Sequence, residues 1–372
     1  MTPTESTADP AGAPTSAPAP GGRVLTVTGE VPPDALGPVM PHEHLLSSFA
    51  PPVDTPGAWR ALGRERPADG APRARYEAPL GMDLLGELTL GAPNRDDLLL
   101  GDERLATDEA AAFGRAGGST LVDLTTPDLG RDPAALRRIS EATGLSVVMG
   151  SGRFHPAWRP ASEALSAETL TEEIVRDLTE GVDGVRAGVI GEIPALDPRS
   201  PAQRAVLVAA ARASAATGSA ISLCRSPDPG TQRRVLDLLA EEGAELRRVA
   251  LGRCDTLSPN PDALEPLLER GVFVQFDQLG RLPTVLSTND DQDVAAAVLE
   301  LARRGHAKRI LLSQDVGAKS RLLAHGGGGY GFVLGQFVPY LRMLGADDAL
   351  VETLTVRNPA RLLTLPDRRT AS

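Results

Sequence analysis

Short β-prone runs and Ala/Leu-rich helical segments take turns along almost the whole sequence, about eight of each. That alternation limits what the chain can fold into more than any other feature. Candidate strands are Leu36–Met40, Thr120–Thr125, Ser146–Met149, Ala187–Gly191, Ala220–Leu223, Arg248–Leu251, Val272–Phe276 and Arg309–Ser313. None alternates strictly in polarity, as expected of parallel strands covered on both faces. Asp132-Pro133, Ser200-Pro201 and Asn260-Pro261 each place a capping side chain before a proline at the first helical position, where its missing N–H costs nothing. The pattern predicts an α/β fold, a (β/α)8 TIM barrel, with functional groups gathered at the carboxyl ends of the strands. An open doubly wound sheet is the rival. However, no G-x-G-x-x-G follows the first strand and no G-x-x-x-x-G-K-[ST] occurs, so nucleotide binding gets little support. The segment Ser47–Leu105, rich in Pro, Gly and charge, reads as an elaborated first βα loop over the barrel mouth.

A length of 372 residues suits one such barrel without a second domain. Residues 1–22, made largely of Pro, Ala, Ser, Thr and Gly, read as a disordered tail, residues 23–366 as the barrel and residues 367–372 as a frayed end. With 41% hydrophobic but only 3% aromatic residues, the core must be built mainly from Ala, Leu, Val and Ile. The net charge of −11 argues against a sequence-independent grip on nucleic acid or an anionic membrane, which leaves a small molecule as the expected partner. Two cysteines cannot form a disulfide framework, and neither a secretory signal nor a long apolar run is legible, so a cytoplasmic address is expected. Barrels of this size often pair, so a homodimer is compatible with the sequence, although no interface pattern is legible.

The strongest local signal is Pro41-His42-Glu43-His44 after the first strand. Residues two apart on an extended segment project to one side, so both imidazoles can reach one metal; loop histidines are the alternative. Glu192 and Asp315 end the fourth and eighth candidate strands, where oxygen ligands would be needed, although either alone could be a helix cap or an ion-pair partner. Together the four suit Zn²⁺ or another borderline divalent ion. Cys224 could be a ligand, a nucleophile or a core residue, whereas Cys254 is expected to pack between barrel and helices. His155 and the flexible stretch after His325 could border the pocket, Arg153 and Lys319 are candidate contacts for an anionic group, and Trp59 and Trp158 could wall the mouth or simply pack. His306, at a helix end, reads as structural.

Longer motifs point the same way. GPVMPHEHL, AGGSTLVDLTTPDLGRDPAALRRISEATGLSVVMGSG, RAGVIGEI, LLSQDVGAKSRL, GGGGYGFVLGQFVP and VRNPARLL resemble the phosphotriesterase-like branch of the amidohydrolase superfamily from about Arg23 to Pro366. The resemblance implies that His42 and His44 bind the more buried metal, that Glu192 takes the place of a bridging carboxylate, and that Asp315 is the metal-bound acid that accepts a proton from the attacking water. It also marks departures. The histidine that typically ends strand five is Cys224, the one after strand six is Arg253, the tyrosine often found after strand three is missing from Ser151-Gly152-Arg153-Phe154, and a histidine often seen in the glycine-rich loop is Gly328. Those first two histidines hold the second metal, so one divalent ion per chain is expected. Arg253, a permanent cation expected to pair with Glu192, would replace part of the missing charge and polarise a substrate oxygen. The implied activity is metal-dependent hydrolysis of an ester, lactone, amide or phosphoester, with a lyase or cyclase and an inactive binding homologue as alternatives.

Overall fold

The computed structural model of the chain describes residues 22–61, 63–158 and 165–366. The expected tails, apart from Gly22, lie outside these residues. Eight strands form one sheet in sequence order: β1 (Val39–Glu43), β2 (Thr120–Asp123), β3 (Ser146–Ser151), β4 (Val189–Ile193), β5 (Ala220–Cys224), β6 (Val249–Gly252), β7 (Phe273–Phe276) and β8 (Ile310–Leu312). Every neighbouring pair is parallel, and the sheet curls into a nearly closed barrel with helices outside it.

Period-two alternation then sorts the side chains. Val39, Val122, Val148, Val189, Ala220, Ala250, Phe273 and Leu311, one from each strand, share a buried cluster with Leu36, Leu362 and Leu363, which closes the bottom of the barrel. Met40, Leu121, Val147, Ile190, Ile221, Leu251, Val274 and Leu312 face the other way and join the larger core beneath the helices. Asp132 caps its helix as expected by accepting the Ala135 N–H at 2.9 Å. Ser200 and Asn260 head theirs without a side-chain capping bond, the latter through a 3₁₀ turn, Pro261–Leu264, that runs directly into the short helix Glu265–Glu269.

Two strands lie later than the sequence suggests. β1 begins at Val39 because Pro33–Ala35 forms a 3₁₀ turn that ends on Leu36. It runs on through Pro41, which falls in the β-bulge between Met40 and Glu43, and proline is tolerated where the ladder is already interrupted. β4 begins at Val189 rather than Ala187.

Among the described residues no backbone ladder joins β8 to β1. That seam is bridged by Glu43, whose carboxylate accepts the N–H groups of Gln314 and Val316, each at 2.9 Å, and lies 2.7 Å from the Ser313 hydroxyl. The Asp315 N–H adds a bond to the His42 carbonyl at 3.0 Å. The first loop is anchored where Ser47–Ser48 pairs with Leu99–Leu100, and three short helices fill the excursion between them. Trp59 is buried within it against Tyr76, with its indole N–H on Asp54, while Trp158 packs on Phe154. Both tryptophans therefore serve packing. His306 and His325 lie at the ends of short 3₁₀ turns. None of the described helices is long and apolar enough to cross a membrane.

Candidate active site

The carboxyl ends of β1, β4 and β8 bring four separated residues together. His42 lies in β1 and His44 just past its end, Glu192 in β4, and Asp315 in the turn three residues past β8 rather than at the strand end itself. One ligating atom from each lies within 4.8 Å of the others, and all four side chains are buried. Glu192 Oε2 stands 3.7 Å from His42 Nε2 and 3.3 Å from His44 Nε2, and Asp315 Oδ1 stands 3.7 Å from each.

The histidines are aimed from behind. His42 Nδ1–H donates to Asp277 Oδ2 at 2.7 Å, and His44 Nδ1 bonds the Thr125 hydroxyl at 3.0 Å, so each Nε2 turns inward. Asp277 reaches that position by lying against Gly252, where any β-carbon would collide with its carboxylate. The inward atoms His42 Nε2, His44 Nε2 and Glu192 Oε2 are buried and have no hydrogen-bond partner. Buried polar atoms are seldom left so, and three orphans of ligating type converging on one point fit a divalent cation. Burial opposes a charge on His42, yet Asp315, Asp277 and Glu192 outweigh it and hold its pKa well above that of an ordinary imidazole. Burial likewise opposes the Glu192 carboxylate, but the two histidines hold it well below the usual range.

Beside this cluster stands Arg253. β6 ends at Gly252 and Arg253 takes a left-handed conformation, φ 58°, with its backbone N–H on Asp277 Oδ1 at 2.7 Å. Its Nη2 lies 3.0 Å from Asp315 Oδ2 and 3.8 Å from Glu192 Oε1. The expected pairing with Glu192 is therefore the weaker contact, because the turn at the strand end carries the guanidinium toward Asp315. Arg281, unnoticed in the sequence, sits on the same Asp315 oxygen at 3.0 Å.

Cys224 ends β5 beside the four rather than among them, and its thiol donates to Glu192 Oε1 at 3.0 Å. Burial, then the nearby Glu192 charge, pushes that thiol well above its ordinary pKa. Cys254 is buried in the main core, donates to the Leu251 carbonyl and is pushed by burial up to about 12. Both cysteines are free. Since the thiolate is the reactive form, neither should react with a disulfide reagent within minutes in the native protein at pH 8, and both should react once it is unfolded in guanidinium. A rapid native thiol titre would contradict this geometry.

The weaker candidates are otherwise engaged. Arg153 pairs with Glu173, Lys319 Nζ pairs with Asp96 at 2.6 Å, and His155 Nδ1 accepts the Ala157 N–H at 3.0 Å. Of the residues the sequence reading missed, Asp277 follows β7 directly, the signal that picked out Glu192, whereas nothing local marked Glu43 or Arg281.

Known proteins share this architecture. The family model for the phosphotriesterase family matches residues 22–363. N-acetyltaurine hydrolase of Xenopus tropicalis is 28% identical over 92% of this chain and 98% of its own length. Among solved structures, a resiniferatoxin-binding protein of Rhodobacter sphaeroides is 37% identical with a TM-score of 0.81, covering 92% of this chain and 95% of its own. A mutant phosphotriesterase-like lactonase of Deinococcus radiodurans is 28% identical with a TM-score of 0.68, covering 91% and 99%. With a barrel of the same design and a His-His-Glu-Asp cluster at its mouth, this chain belongs to the phosphotriesterase family and is a hydrolytic enzyme.

Proposed function

We propose that the protein hydrolyses the carbonyl bond of a small amide, ester or lactone at a centre holding one divalent metal ion, with zinc as the resident metal. The observation that carries this reading is the convergence of His42 Nε2, His44 Nε2 and Glu192 Oε2, all buried and unpartnered, beside Asp315 Oδ1. Imidazole with carboxylate is the donor chemistry of catalytic zinc. An ion held there supplies Lewis acidity that activates water and polarises an acceptor oxygen. Carbonyl rather than phosphoryl chemistry is favoured by relatives described as an N-acetyltaurine hydrolase and a lactonase.

The chain's own groups then divide the work. Asp315 is held through Oδ2 by two guanidiniums, which leaves Oδ1 facing the cluster as the oxygen that takes a proton from the attacking water and returns it to the leaving amine or alkoxide. Arg253 occupies the side of Glu192 and Asp315 away from the histidines. There it repels a second divalent ion and offers N–H groups to the carbonyl oxygen as negative charge develops. Asp277 and Thr125 hold the imidazole rings in their orientation and take no part in bond making.

Elemental analysis joined to isotope labelling tests the reading. Purified protein should carry about one equivalent of divalent metal per chain, and product formed in oxygen-18 water should contain one solvent oxygen in the released acid. Two equivalents would remove the role given to Arg253, and turnover without solvent oxygen would show a lyase or cyclase instead.

A further inference from the structure

Asp315 lies beyond the last strand, where no ladder fixes it, and it takes the left-handed conformation with φ 50°. That region is sterically costly for residues other than glycine and persists where the surroundings hold it. Rotation about the N–Cα bond of Asp315 turns the Gln314–Asp315 peptide, and rotation about its Cα–C bond turns the Asp315–Val316 peptide. Holding those two planes therefore fixes the direction in which the Asp315 side chain leaves the backbone.

All four polar groups of the two planes are engaged. On one side, the Asp315 N–H donates to the His42 carbonyl at 3.0 Å and the Val316 N–H to Glu43 Oε2 at 2.9 Å. On the other, Arg321 Nη1 donates to the Gln314 carbonyl at 3.0 Å and to the Asp315 carbonyl at 2.8 Å, one N–H for each. Bonds from a cation are stronger than those from a neutral donor. Unlike Arg253 and Arg281, Arg321 pairs with no carboxylate among the described residues, so these two carbonyls are what its guanidinium holds. Arg321 is itself fastened. It ends the 3₁₀ turn Lys319–Arg321, in which the Ser320 N–H donates to Asp97 Oδ1 at 2.7 Å, and the Leu323 and Ala324 N–H groups just beyond it donate to Glu109 at 3.0 and 2.8 Å.

We propose that Arg321 is a positioning residue of the hydrolytic reaction: it locks the two peptides around Asp315 and so keeps Oδ1 turned to the histidines, without touching metal or substrate itself. This rests on the place given to Asp315 above, so the test reads the link between Arg321 and Asp315 separately from turnover.

The experiment is a double-mutant cycle read as zinc affinity, measured against a competing chelator, with the kinetics of zinc-loaded protein on 4-nitrophenyl acetate as a second readout. Arg321→Met should weaken zinc binding about 10- to 100-fold in the parent protein. In the Asp315→Ala background the same substitution should weaken it by less than about twofold, because no carboxylate remains to be positioned. On the ester, Arg321→Met should lower kcat about 10- to 100-fold and leave KM within about twofold. Arg321→Lys, whose ammonium can reach one of the two carbonyls, should show the same pattern at smaller size, and it carries the test if the methionine variant does not fold. An equal loss of zinc affinity with and without Asp315 would show a merely structural role and overturn the assignment, as would unchanged zinc affinity in both arginine variants. Full turnover by Asp315→Ala would remove the proton-accepting role of Asp315 alone and leave a measured coupling to Arg321 standing.

Discussion

His44→Ala should reduce bound metal to a small fraction of an equivalent and turnover by roughly a thousandfold or more, while Asp277→Asn should lower both by only about 10- to 100-fold. The gradation follows from where each residue stands. His44 Nε2 is one of the three buried, unpartnered atoms that converge at the centre, and Glu192 Oε2 lies 3.3 Å from it. Truncating His44 removes a donor that no neighbour replaces. Asp277 instead touches the centre through His42, whose Nδ1–H it accepts at 2.7 Å, and it also receives the Arg253 N–H at 2.7 Å. An asparagine can still accept one of these bonds, so the ring loosens without losing its place. The check is metal content and kcat measured on the same preparation of each variant. Equal losses in the two variants would mean that His44 is no ligand, or that Asp277 binds the metal itself.

How much of this was legible in the sequence depends on how local each signal is. Short β-prone apolar runs and proline-marked helix starts declare themselves within a few residues, so eight parallel strands are legible, although β1 and β4 lie later in the chain than those runs suggest. The misplacement of β1 has a specific cause: a proline inside the strand looks like a terminator unless one knows that the strand is bulged there and lacks a ladder on its other edge. His42, His44, Glu192 and Asp315 were legible because each follows an apolar run, and the barrel makes strand ends converge. Arg281 sits in a loop with no periodic pattern, and nothing but the closed barrel brings it to Asp315. Arg153 and Lys319 illustrate the converse, since a sequence cannot show that Glu173 and Asp96 already meet their charges.

Glu43 carries the largest expected effect on stability, because it lies between two histidines of the site yet belongs to the seam of the barrel. Its side chain is buried, and burial pushes its carboxyl up to about 7 although the Val316 and Gln314 N–H groups and the Ser313 hydroxyl all favour the charged form. Those three groups follow β8, and Glu43 is the last residue of β1, so one side chain supplies bonds that a ladder would otherwise supply. Glu43→Ala strands the two backbone N–H donors in a water-free place, at about 1–3 kcal/mol for each bond left unmade, and opens a cavity, while the Ser313 hydroxyl can turn to the His42 carbonyl 3.0 Å away. A net loss of about 3–5 kcal/mol in urea unfolding is expected, together with weaker metal binding, because the Asp315 N–H that anchors to the His42 carbonyl belongs to the same seam. Glu43→Gln should fall between the parent protein and Glu43→Ala. Its amide oxygen can accept one of the two backbone N–H groups, but its NH₂ would face the other. A variant as stable as the parent would show that the barrel closes without this bridge.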